Sequence, residues 1–126
     1  MRTLKFFKDL DNKVLVREYK TPGDYYTFLK AQTHAGLVPI QFTDQIILTI
    51  VYVLMQRNWQ LVSFEGMYPD DSGWLQPESI TNCHLIGGEL ALDVADNGRI
   101  GIYGNNEDQA EAVIDLILTT LEKGIN

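Results

Sequence analysis

Leu90, Leu92 and Val94 alternate with Glu89, Ala91, Asp93 and Ala95, and beyond a short polar gap Ile100 and Ile102 alternate with Arg99, Gly101 and Tyr103. Alternation with a period of two predicts two strands, each with one face on a core and one turned away from it. The gap is Asp96-Asn97-Gly98. An Asn-Gly between alternating segments predicts a tight hairpin in which both turn positions take positive φ. The Leu, Val and Ile set is expected to face helices. The other set is a surface of small residues edged by charge, where Ala91 and Gly101 permit close approach of another backbone or a flat ligand.

The rest of the chain reads in the same terms. "TLKFFKDL" and "KVLVREY" flank Asp11-Asn12 and predict a hairpin over residues 3–19. "TPGDYYTFLKAQTHAG" predicts a helix over 22–35, with Thr21 as cap, Pro22 in the first turn, Gly36 as stop and Tyr25, Phe28 and Leu29 on its inner side. "FTDQIILTIVYVLMQRN" is rich in β-branched residues, but its length and a cap at Thr43 or Asp44 favour a helix. Its apolar residues run nearly all the way round, which predicts burial on two sides, one of them against a second copy of the chain. "NWQLVSFEGMY" reads as a strand. "NNEDQAEAVIDLILTTLEKGIN" reads as a closing helix capped by Asn105 or Asn106, stopped by Gly124, with Ala110, Val113, Ile114, Ile117, Leu118 and Leu121 in one stripe. The expected architecture is α+β: an antiparallel sheet of about five strands with three helices mainly on one face, in the order ββααβ(long loop)ββα.

The long loop, residues 67–82, is the feature the periodicities leave unexplained. Connections in compact domains usually take about 4–6 residues, and loops several times longer are commonly binding loops, lids or Ω-loops. This one carries Trp74 beside Tyr68 and Pro77, with Asp70, Asp71 and Glu78 around it. Tryptophan is enriched in binding hot spots because it buries a large area at small entropic cost. A self-packed Ω-loop would use it equally well.

Composition narrows the classes. With 126 residues, 45% of them apolar and 21% charged, the chain fits a single globular domain over 1–126. "MRTLKFFKDLDNK" has no apolar secretory core, and "IILTIVYVLM" is about half the roughly 20 residues of a membrane span. The expectation is a cytoplasmic protein without a membrane partner. Charge is unevenly placed: residues 1–30 hold seven Lys/Arg and four acids, whereas residues 31–126 hold three and thirteen. This split suggests contact between copies or with a basic partner, and it disfavours nucleic-acid phosphates, which need clustered cations.

Candidate chemistry is sparse. Asp70, Asp71 and Glu78, with Glu65 on the preceding strand, match no EF-hand spacing, so no metal is assigned. Cys83 is the only cysteine, and Cys83 and His84, as strand neighbours, point to opposite faces and make a poor nucleophile-base pair. His34 suits a helix C-terminus. The glycines of "LIGGEL" and "IYGNNED" fit neither phosphate-binding fingerprint, and no cofactor is assigned. The sequence therefore favours a non-catalytic acidic protein, an interaction or inhibitory module acting as a homodimer on another protein, a basic one included. The alternative is a small-ligand binder with a pocket between loop 67–82 and the open sheet face. Trp74, Tyr68, Asp70, Asp71, Arg99 and Tyr103 are the contact residues in either case.

Overall fold

Along the first strand, β1 (Arg2–Lys8), Leu4 and Phe6 point to one face while Thr3, Lys5 and Phe7 point to the other, and all five are buried. A strand buried on both faces needs cover on both, and this requirement organises the molecule. The computed structural model describes residues 1–19, 24–66 and 80–125. Tyr68, Asp70, Asp71 and Trp74 lie outside them, as do the expected cap Thr21 and Pro22.

The architecture is α+β. Strands β1, β2 (Val14–Tyr19), β4 (Gln60–Gly66), β5 (Ile80–Gly87), β6 (Leu90–Ala95) and β7 (Arg99–Tyr103) form one antiparallel sheet in the order β2-β1-β7-β6-β5-β4. The two-residue β3 (Val38–Pro39) pairs with β1 beside it. Among the described residues the sheet thus has seven strands, two more than the alternation predicted. β3 is too short to show a period, and β5 was hidden by Thr81, Asn82 and His84, polar residues on its outward positions. The β1–β2 hairpin turns at Asn12, whose φ is 62°.

Helix α2 (Asp44–Met55) and helix α3 (Glu107–Ile125) cover the first face. Thr43 caps α2 by accepting from the Ile46 amide, and the Asn106 side chain accepts from the Gln109 amide at the start of α3. Ile47, Ile50, Val51 and Leu54 from α2 and Ala110, Val113, Ile114, Ile117 and Leu121 from α3 join Leu4, Phe6, Leu85, Leu92, Val94, Ile100 and Ile102 in the main core. The set expected to face helices does so. Within one chain α2 buries Ile47, Ile50, Val51 and Leu54 and leaves Tyr52 63% and Met55 50% exposed, on the side the sequence set against a second copy. One expectation needs correction. Gly124 does not stop α3, which continues to Ile125.

Helix α1 (Tyr25–His34) packs on the second face, over the β2–β1 end. Phe28 meets Phe7 edge-on at 5.9 Å between centroids and Tyr19 at 4.9 Å, and Tyr25 lies 5.4 Å from Tyr19. α1 ends as expected at Gly36, where the Leu37 amide reaches the Gln32 carbonyl and the Gly36 amide that of Thr33. Because α1 is short, it covers only part of this face. The β7–β6–β5–β4 portion keeps its outward residues, and β4 pairs with β5 through register shifts at Leu61/Ser63 and Glu65/Gly66.

The uneven charge is partly neutralised within the chain. Arg2, from the basic N-terminal hairpin, pairs with Glu18 at 2.8 Å and with Glu107 and Glu111 at the acidic start of α3, at 3.3 and 3.0 Å. Among the described residues no helix is long and apolar enough to cross a membrane.

Candidate ligand site on the second sheet face

The hairpin that joins β6 to β7 sets the floor of the site. Of its turn residues only Gly98 takes positive φ, at 82°, and its amide returns to the Ala95 carbonyl. The connection is therefore a three-residue loop with a single left-handed glycine, not the two-residue turn the Asn-Gly pair predicted. The Asn97 side chain accepts from the Arg99 amide and fixes the start of β7. Arg99, Gly101 and Tyr103 then project onto the second face, with Thr3 opposite Gly101 on β1 and Asp93 opposite it on β6.

The N-terminal end of α1 forms the wall. Lys5, 2% exposed, donates from Nζ to the Tyr25 hydroxyl and to the Asn97 carbonyl, both at 2.8 Å, and lies 5.3 Å from the centre of the Tyr25 ring. A buried ammonium is tolerated only with such partners. Lys5 thereby ties α1 to the β6–β7 turn. Between wall and floor lies a cavity of about 300 Å³ lined by Tyr19, Tyr25, Tyr26, Tyr103, Arg99 and Asp93, with Met1, Thr3, Asn97 and Gly101 completing it.

Four tyrosines meet one guanidinium here. Burial pushes the Tyr19 phenol up from its ordinary value, opposed by the Arg99 guanidinium beside it. The Asp93 carboxylate does the same to Tyr103. Both phenols are neutral donors at physiological pH. Every ion pair among the described residues involves Arg2 or His84, so Arg99 has no carboxylate within 4 Å. Asp93, the acid that lines the same cavity, is engaged with His84.

His84 stands between two acids. Its Nε2 lies 2.9 Å from Glu65 on β4, and its Nδ1 bonds Asp93 on β6. The line Glu65–His84–Asp93 crosses three adjacent strands, because Glu65, Asn82 and Ala95 share one register row and Ser63, His84 and Asp93 the next one on the same face, with the inward Phe64–Cys83–Val94 row between them. With both ring nitrogens facing carboxylates the imidazolium is favoured, and Glu65 first, then Asp93, raises the His84 pKa above its usual 6.5. The stability His84 contributes is complete below the unfolded value and is lost as pH rises through the higher folded one. The melting-temperature advantage of the parent over His84→Gln is therefore expected to shrink between pH 6 and pH 9. A constant difference would mean that the imidazolium bridge does not form.

The sequence candidates divide cleanly. Arg99 and Tyr103 line the cavity, whereas Trp74, Tyr68, Asp70 and Asp71 lie outside the described residues. Cys83 points into the core, fully buried, and burial lifts its thiol to about 12, so it is no nucleophile at neutral pH. Glu65, considered with the loop acids as a cation ligand, instead meets His84. Tyr19, Tyr25, Tyr26 and Asp93 were missed as site residues. Asp93 carried a signal, since it shares an alternation set with Arg99's strand neighbours, but the α1 tyrosines carried none because which face α1 would cover is not written in a periodicity.

A second concavity of about 500 Å³ lies between α3 and Trp59, lined by Arg57, Gln109, Asp115 and Leu116. Its central amide is already used: Gln109 donates to the Gly87 carbonyl and accepts from the Glu89 amide. No family model matches the chain, and neither a curated protein nor a solved structure matches it significantly.

Proposed function

We propose that the protein binds a small molecule in the cavity between α1 and the β7–β6 part of the sheet. The observation that carries this reading is the convergence on one concavity of aromatic walls and an arginine with no carboxylate partner among the described residues. About 300 Å³ is the lower end of the range of small-molecule sites, which combine apolar or aromatic walls with a few placed polar groups. Rim residues Tyr26 and Tyr103 are exposed large aromatics, surface that a ligand would remove from water. Among the described residues its wall is α1, and residues 67–79 of the loop that the sequence set against this face lie outside them.

The test is a fragment screen of mixed charge and shape, read by amide shifts in the labelled protein. Binders are expected to move the amides of Arg99, Gly101, Tyr103 and Tyr25 together. A screen whose hits all map elsewhere would overturn the reading.

A second reading, a protein-interaction module that self-associates, is favoured by the exposed Tyr52 and Met55 on α2. Sedimentation from micromolar to millimolar concentration decides it, since a constant monomer mass excludes the homodimer.

A further inference from the structure

We infer that the ligand of this cavity is a small planar aromatic acid, whose carboxylate sits in the fork of Arg99 and whose ring lies among Tyr25, Tyr26 and Tyr103; the inference rests on the ligand-binding reading above. Arg99 has no carboxylate within 4 Å among the described residues, and the nearby Lys5 ammonium has only the neutral Tyr25 hydroxyl and Asn97 carbonyl as partners. Asp93 faces His84, whose protonated form its two acids favour. Arg99 therefore offers the cavity a guanidinium that meets the Tyr19 phenol and, among the described residues, no carboxylate. An anion is the complement.

The donor set then selects the kind of anion. A guanidinium offers two parallel N–H groups matched to a carboxylate. Among the described residues Arg99 is the one cationic side chain in the lining, and the α1 N-terminus beside it carries the Asp24 carboxylate, which repels a doubly charged phosphate more than a singly charged carboxylate. Size and shape limit the remainder. At about 30 Å³ per water, the cavity holds roughly ten waters, the room taken by a one- or two-ring acid. The Tyr103 ring stands against Gly101, where an added Cβ would meet it at 3.4 Å, so the ring is held as a wall of the cavity against which a planar group can stack.

The experiment compares three probes of one shape, 2-naphthoate, 2-naphthamide and 2-naphthylmethylammonium, titrated into the labelled protein and into Arg99→Gln. The expected result is that 2-naphthoate moves the Arg99, Gly101 and Tyr103 amides with a Kd at least about tenfold below that of the amide, as a charge-assisted hydrogen bond implies, and that Arg99→Gln removes the preference at an unchanged melting temperature. Should Arg99→Gln melt early, Arg99→Lys, which keeps the charge without the fork, replaces it and is expected to weaken the preference several-fold. Equal or tighter binding of the amide or the ammonium, a preference that survives Arg99→Gln, or silence from all three probes overturns the assignment of an aromatic acid. Ligand binding itself falls only if the whole fragment set leaves the cavity amides unmoved.

Discussion

Gly98→Ala is expected to destabilise the protein by about 3–5 kcal/mol, near the upper end of single substitutions. Two effects add. At φ 82° an L side chain costs roughly 1–2 kcal/mol relative to glycine. The added Cβ would also stand 2.1 Å from the Ile40 carbonyl oxygen, a backbone atom that cannot rotate away. The segment that would have to move is held at both ends, by the Ile40 amide on the Phe6 carbonyl and the Phe42 amide on the Asp96 carbonyl. Gly98→Asn separates the two effects in a urea titration. Asparagine tolerates left-handed φ, so the conformational cost largely disappears while the clash remains. A nearly neutral Asn variant would show that the contact with Ile40 relaxes easily, and a nearly neutral Ala variant would refute the turn geometry itself.

Trp59→Ala is expected to cost about 3–5 kcal/mol, the range for large aromatic truncations in a core. Trp59 is the first residue past the turn that ends α2, its amide returns to the Leu54 carbonyl, and its indole lies flat on the Gly87 backbone. A Cβ on residue 87 would fall 2.4–2.7 Å from three ring atoms, so Gly87→Ala forces the indole outward and is destabilising on its own. The two substitutions act on one contact. In the double variant the methyl occupies part of the space the indole vacated, and the combined loss is expected to fall short of the sum by about 1 kcal/mol or more. Simple additivity in denaturant midpoints would mean that ring and glycine are energetically independent.

The sequence reading was strongest where a period could be matched to a face. The alternation of Leu90, Leu92, Val94, Ile100 and Ile102 located the core of the sheet, and it put Arg99 and Tyr103 on the surface that carries the cavity. It was weakest where strands meet. His84 finds Glu65 nineteen residues before it and Asp93 nine after it, through a register that no local pattern encodes. The same limit concealed Lys5. Its place in the alternation with Thr3 and Phe7 was visible, but the hydroxyl and carbonyl that hold its ammonium come from a helix and a turn distant in the chain. Trp59 passed unremarked beside Trp74 because a tryptophan before a strand looks the same whether it meets a glycine or water.

The irregular register of β4 bears on how the protein behaves in concentrated solution. Among the described residues β4 is an edge of the sheet, and exposed edges invite further strands to add and fibrils to grow. Its seven residues are interrupted at Leu61/Ser63 and again at Glu65/Gly66, which leaves no long evenly spaced row of free amides and carbonyls. An incoming strand would meet matched partners over only a short stretch before the spacing failed. The two register shifts thus act as a brake on edge-to-edge growth, and a variant that straightened β4 would gain a tendency to form cross-β aggregates.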